Sequence, residues 1–332
     1  MKIHWWEFQP DLHESHSQAD TPVLCMQGIP RNDVRIPPTL PRRGAGPPQK
    51  SKIRGVKQVL VVASGKGGVG KSTVAANIAL SLLSTSSSSS RPRIGLLDLD
   101  IFGPSVPKLM GLENAGDVEL TDASRLIPLQ NHGIQTMSIG YLLPPNPAND
   151  SPVVWRGMMV MKAVQQLLFD VDWTSGGNDL DVLVIDMPPG TGDVQLSLGQ
   201  LVVVDGAIIV STPQDVALID ARKGVGMFRK VDIPIIGLLL NMSHFTCGSC
   251  TTQHELFGSA AKFESAALDL GLPILGRIPL VPSVSDGGDA GRPIMVQSSP
   301  DGEEVRECMG NIGSTVWHWL ARQPASQAGT RG

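Results

Sequence analysis

Three groups of residues in this 332-residue chain have the types and spacing to do chemistry. The first is Gly65-Lys66-Gly67-Gly68-Val69-Gly70-Lys71-Ser72, a full match to G-x-x-x-x-G-K-[ST]. Its glycines let backbone N–H groups turn inward onto phosphate oxygens, and a helix start just beyond adds partial positive charge. Lys71 brings a point charge to the β- and γ-phosphates, Ser72 brings a hydroxyl suited to Mg²⁺, and the contact surface runs from Gly65 to Thr73. The general pattern does not demand the second lysine, Lys66.

Carboxylates form the second group. Ile94-Gly95-Leu96-Leu97 ends in Asp98-Leu99-Asp100, and Val182-Leu183-Val184-Ile185 ends in Asp186. An apolar strand that delivers one acid to its carboxyl end is the arrangement that places a carboxylate near a phosphate-bound metal. The third group is Cys247-Gly248-Ser249-Cys250, a spacing that chelates a metal or cluster, or makes a redox pair. One such pair supplies two thiolates, whereas a structural zinc or a cubane cluster wants four ligands. Cys25 and Cys308 are not obvious completing ligands. His244 and His254 flank the motif and keep a zinc site open, and a twofold axis joining two chains is the simple alternative.

These groups need a rigid frame, and the chain between about 55 and 297 has the pattern for one. Short apolar runs at Val59–Ser64, Ile94–Leu97, Ile134–Ile139, Val182–Ile185, Ala207–Val210, Ile235–Leu240 and Ile274–Gly276 look buried on both sides. Helical periods at Lys71–Leu83, Met158–Phe169 and Ala217–Lys230 lie between them. Such alternation predicts an α/β fold, a mainly parallel sheet covered by helices on both faces, which makes the phosphate loop part of a three-layer P-loop NTPase sandwich. A closing helix is expected from about Gly302 to Ala321. The expected division is a flexible N-terminal segment over 1–54, basic only in its later part, one NTPase domain with its cysteine loop over 55–322, and a disordered tail over 323–332. Ser86–Ser90 is low-complexity and reads as a loop insertion.

Composition bounds the function. Four cysteines are too few for a disulfide scaffold, so a reducing compartment is the default. A net charge of −4 gives no electrostatic reason to expect nucleic acid. No apolar run approaches the roughly 20 residues that span a bilayer, so no integral membrane segment is expected. The first 24 residues hold four acids against a single lysine, the reverse of a mitochondrial targeting segment.

The phosphate loop, Gly55-Val56-Lys57-Gln58, Asp100-Ile101-Phe102-Gly103-Pro104-Ser105, Val154-Trp155-Arg156-Gly157, Met187-Pro188-Pro189-Gly190-Thr191-Gly192-Asp193, Ser211-Thr212-Pro213-Gln214 and Asn241-Met242-Ser243 together resemble the Mrp/ApbC family of deviant Walker A scaffold or carrier NTPases. The similarity covers about residues 55–297 and is greatest to the mitochondrial branch that serves complex I assembly. The resemblance implies ATP and Mg²⁺ as ligands, hydrolysis, and a labile [4Fe–4S] cluster bridging Cys247 and Cys250 of two chains in a homodimer. It also implies delivery to iron–sulfur apoproteins, complex I subunits among them, in the mitochondrial matrix, with the cytoplasm as alternative. By the same resemblance Lys66 reaches the partner chain's nucleotide, Asp100 orients the attacking water, Asp98 joins Asp186 and Ser72 around magnesium, and Asn241 contacts adenine. As plain sequence, Asn241 is equally a turn former at a strand end, and the methionines at 158, 159 and 161 fit a core helix better than a partner face. Two rivals stay open: a partitioning or positioning ATPase, which would lack the cysteine pair, and a metabolic P-loop NTPase with a structural zinc.

Overall fold

The computed structural model describes residues 50–85, 91–143 and 157–323, with side chains at 157 and 158 excepted. The expected N-terminal segment up to residue 49, Cys25, the Ser86–Ser90 loop, Val154-Trp155-Arg156 and the tail beyond 323 lie outside the described residues. In chain order the elements are β1 (Val56–Ser64), α1 (Lys71–Leu82), β2 (Ile94–Asp98), α2 (Val106–Leu109), β3 (Leu129–Asn131), β4 (Ile134–Ser138), α3 (Gly157–Phe169) and β5 (Leu180–Asp186). They continue with α4 (Asp193–Leu201), β6 (Gly206–Ser211), α5 (Asp215–Lys230), β7 (Ile235–Asn241), β8 (Phe245–Thr246), β9 (Gln253–His254), α6 (Ala260–Leu270), β10 (Ile274–Ile278), α7 (Pro282–Asp289) and α8 (Glu303–Arg322).

One sheet runs β10-β7-β6-β1-β5-β2-β4-β3, and every neighbouring pair is parallel except β3 with β4. Alternation along β1 shows why it is central. Val59, Val61 and Ala63 enter the core on one face, and Leu60 and Val62 enter the core on the other. A strand buried on both faces must be apolar at every position, and the branched residues of β1, β5 and β6 satisfy that requirement. The first core includes side chains of α3, α5 and α6 and the fully buried Trp173, and the second takes in α1 and α8. These are the three layers expected from the sequence.

Small residues govern the second face. Nearly all of α1 is buried, and its alanines at 75, 76 and 79 let it lie close to the sheet. Gly313 of α8 sits against Ser81, where any Cβ would collide. The domain begins before residue 55. Ser51 N donates to Leu201 O at 2.8 Å, and Ile53 is part of the core, so residues 51–54 belong to the folded domain rather than to the segment expected to precede it. Five elements carry no clear signal in the sequence: α4, α7, the antiparallel edge strand β3, and the two-residue strands β8 and β9. Among the described residues no helix is long and apolar enough to cross a membrane.

Candidate nucleotide and cysteine site

Parallel register sets the site. Val62 of β1 and Asp98 of β2 both stand opposite Asp186 of β5, so the phosphate loop and three carboxylates emerge at one edge of the sheet. Packing forces glycine at two loop positions. Gly65 lies on the backbone of Asp220 in α5, and Gly70, at φ +80°, lies on the amide of Asn241. Neither contact leaves room for a Cβ, and the left-handed backbone of Gly70 is one that L side chains rarely adopt. No acidic residue occupies the first turn of α1, so the positive end of the helix faces the loop uncompensated.

Lys71 is buried, and its Nζ donates to Asp186 Oδ1 at 2.6 Å and to Ser72 Oγ at 3.1 Å. Lys66 is exposed at the rim, with its carbonyl held by the hydroxyl of Ser64 at 3.0 Å. A cavity of 310 Å³ opens over the loop, and its walls include Lys66, Lys71, Ser72, Asp100, Lys108 and Asp289. A second cavity of 250 Å³ continues from it, walled by Asn241, Met242 and Ile278 to Val281. Gly70, Thr73, Leu109 and Asp289 belong to both cavities. A chamber lined by the glycine-rich loop and opening into a second, adjoining one suits a nucleotide laid across the two.

The three carboxylates have different settings. Asp186 is fully buried; burial raises its pKa, and the Lys71 ammonium opposes that rise. Its Oδ2 is buried without a hydrogen-bond partner, an orphan oxygen of the kind a hard cation satisfies. With the adjacent hydroxyl of Ser72, that oxygen fits Mg²⁺. Asp98 is pushed up to about 7, first by burial and then by the charge of Asp186. Its oxygens accept from Asp100 N at 2.9 Å, Val106 N at 3.2 Å and Ser138 Oγ at 3.1 Å, so Asp98 braces the turn that carries Asp100. Asp100 is half-buried in the cavity wall, and burial raises its pKa against the pull of Lys71.

Asn241 Nδ2 donates to Val69 O at 2.8 Å, which ties the end of β7 to the loop while the residue also walls the second cavity. From there a short strap leads to the cysteines. Ser243 donates from both N and Oγ to Ile278 O, at 2.9 and 3.0 Å, and Leu280 N donates to His244 O at 2.7 Å. Because the Ser243 proton goes to Ile278, Nδ1–H of His244 donates to Ser243 Oγ, leaving a buried Nε2 3.7 Å from Glu304. The turn between β8 and β9 then presents Cys247 and Cys250. Cys247 N donates to Thr252 O at 3.0 Å, and Cys250 is fully exposed. Hydrogen bonds from Thr252 and then from Cys247 lower the pKa of Cys250, favouring the thiolate that binds metal.

The structure therefore brings Lys66, Lys71, Ser72, Thr73, Asp100 and Asn241 around adjoining cavities, and sets Asp98 and Asp186 beneath them. Cys247 and Cys250 stand apart on their hairpin. His254 is exposed on β9, and Cys308, in α8, bonds to Arg277 O at 3.4 Å with its pKa raised by burial. Among the described residues no group of three or more His, Cys, Asp or Glu is placed to hold a metal ion. Sequence reasoning quoted Ser243 without giving it a role, and missed Lys108 and Asp289. A signal existed only for the last: Gly287, Gly288 and Gly291 mark close backbone approach around it.

A family model described as NUBPL iron-transfer P-loop NTPase, of the ParA type, matches residues 55–316. The chain is 47% identical over 279 residues to the iron–sulfur cluster transfer protein NUBPL of Mus musculus, covering 84% of this chain and 82% of the mouse protein. It is 46% identical over 247 residues to the iron–sulfur protein required for NADH dehydrogenase, mitochondrial, of Arabidopsis thaliana, covering 74% of each. A solved nucleotide-binding protein of Archaeoglobus fulgidus in complex with ADP is similar at 32% identity and a TM-score of 0.60, over 75% of this chain and 92% of that one.

Lys71 carries two burdens, so its removal has two expected effects. Lys71→Ala deletes the charge for the phosphates and leaves Asp186 buried without its partner, a loss of about 3–5 kcal/mol. Both ATP affinity by calorimetry and thermal stability should fall. Pairing Lys71→Met with Asp186→Asn should restore stability and leave ATP binding lost. Unchanged affinity in Lys71→Ala would remove the loop from the phosphate site.

Proposed function

The chain belongs to the NUBPL iron-transfer P-loop NTPase family, carriers of iron–sulfur clusters, and from that premise we propose that it is an ATP-hydrolysing homodimer that holds a [4Fe–4S] cluster as cargo between two copies of Cys247 and Cys250. The observation that carries this reading is the strap from Asn241 to Cys247. It is hydrogen-bonded to Ile278 and Leu280, which wall the nucleotide cavity, so the nucleotide and the cargo are held by one continuous piece of backbone.

In this reading the loop N–H groups and Lys71 bind the phosphates, and Asp100 holds the attacking water from the cavity wall. Ser72 and the free oxygen of Asp186 would hold Mg²⁺, which when bound neutralises charge on the phosphates; Asp98 acts behind them through its charge and through the turn it braces. Lys66, exposed at the rim, extends to the nucleotide of the partner copy. Two thiolates from each chain complete the four-ligand set that a cubane requires. Their exposure leaves the cluster within reach of acceptor thiolates, the behaviour wanted of a carrier. Recipients are iron–sulfur apoproteins, with complex I subunits suggested by the Arabidopsis relative's requirement for NADH dehydrogenase. That relative's mitochondrial designation supports placement in the matrix, with the cytoplasm as the alternative.

Stoichiometry tests the shared cluster. Anaerobically reconstituted protein should hold about two iron and two sulfide per chain, half a cubane. Cys247→Ala or Cys250→Ala should abolish stable loading, and Cys308→Ala should not. Four irons per chain, or zinc in the protein as purified, would overturn the shared-cluster model.

Hydrolysis should separate from binding. Asp100→Ala keeps the phosphate cradle, so ATP should still bind while kcat falls by about 10² or more. Equal loss of both would place Asp100 in the binding site instead.

Coupling should pass through the strap. Ser243→Ala removes one of two bonds to Ile278, and the rate of cluster transfer to an acceptor apoprotein should then respond less to added ATP while loading is retained. An undiminished response would dissociate the strap from the coupling.

A further inference from the structure

A nucleotide with its phosphates on the loop and its base in the second cavity must lay its sugar across the rim that the two cavities share. Four residues form that rim: Gly70, Thr73, Leu109 and Asp289. Gly70 and Leu109 offer no side-chain hydrogen-bonding group, and Thr73 offers a neutral hydroxyl. Asp289 alone offers a charged acceptor. We infer that Asp289 receives the sugar hydroxyls of the nucleotide and makes the site selective for ribonucleotides over deoxyribonucleotides. This inference rests on the reading that one nucleotide occupies both cavities.

The chemistry matches in sense. The 2′- and 3′-hydroxyls are donors, and an ionised carboxylate is acceptor-only, with two oxygens to receive them. Hydrogen bonds to a charged acceptor are the stronger kind. The carboxylate is exposed and forms no ion pair among the described residues, so it is available to the sugar. Lys108, the nearby cation of the same cavity, is committed to Glu113 at 3.2 Å.

The position is also held firmly. Asp289 ends α7, and the next three residues fold back on that helix: Ala290 N to Asp286 O at 3.0 Å, Gly291 N to Gly288 O at 3.1 Å, and Arg292 N to Gly287 O at 2.7 Å. Gly291, at φ +68°, packs directly on Gly111, and the ring of His132 bonds to Gly291 O at 2.8 Å. The backbone just after α2 and the His132 side chain from the β3–β4 turn therefore clamp the segment just beyond the carboxylate. An acceptor on an immobile backbone loses little freedom on binding, and a site built around a hydroxyl rejects the analogue that lacks it.

The test is nucleotide binding to the full chain with Mg²⁺, measured by calorimetry for ATP, 2′-deoxyATP and 3′-deoxyATP. The wild-type chain should bind ATP about tenfold tighter than at least one of the deoxy forms. Asp289→Ala should bind all three alike, near the affinity of the weaker wild-type analogue, and Asp289→Asn, which keeps one acceptor oxygen, should fall between. Equal wild-type affinity for all three nucleotides would overturn the inference without recourse to any variant. So would an Asp289→Ala chain that weakens toward all three nucleotides by the same factor or keeps its discrimination. A stable wild-type chain that binds none of the three would instead overturn the nucleotide reading beneath it.

Discussion

The charge pair between Lys71 and Asp186, 2.6 Å apart and almost wholly buried, is the constraint around which the site is built. A buried ion gains its stability only from a partner and good hydrogen bonds, so the loop, the first helix and the central strand that carry the two groups cannot move independently. One lysine faces a surplus of acid, since Asp98 and Asp186 are both removed from water and Asp100 partly so. Their raised pKa values express the same imbalance: burial without enough positive charge. A magnesium nucleotide, bringing cation and phosphate together, is the ligand that such a surroundings suits.

The sheet meets this requirement by register. With Asp98 and Asp186 directly opposite each other on β2 and β5, the carboxylates meet whatever the intervening loops do. The close contacts of Gly65 with α5 and of Gly70 with Asn241 lock the loop to the opposite side of the same edge. Bonding donors toward phosphate are thus fixed before any ligand arrives, which is what inexpensive recognition of a triphosphate requires.

Much of this was legible in the sequence because it depends on local chemistry. A phosphate loop must use glycine where backbone approaches backbone, and a doubly buried parallel strand must be apolar throughout, so both announce themselves in a few residues. The role of Asn241 was half visible: a strand-end amide is recognisable, whereas its bond to Val69, 172 positions away, is not. Ser243 gave no comparable sign because its place comes from a distant neighbour, Ile278, and the glycines around Asp289 marked only a close approach, not the Gly111 and His132 that the segment meets. The expected boundary at 54 fell late because Ser51 and Ile53 are held by long-range contacts, in a stretch whose prolines and basic residues resemble a linker. The edge strand β3 and the short β8 and β9 lack the length for a periodic signal.

The cysteine hairpin has only two residues in each strand and lies outside the main sheet. Opening it breaks few backbone bonds and exposes little apolar surface, so its free energy of opening belongs at the low end of the range found within one folded protein. The central strands, buried on both faces, belong at the high end. Amide hydrogens in the turn should therefore exchange with solvent long before those of β1 or β5. On the proposed reading, a cargo gripped there can leave by local melting alone, while the strands that carry the phosphate loop open far less readily.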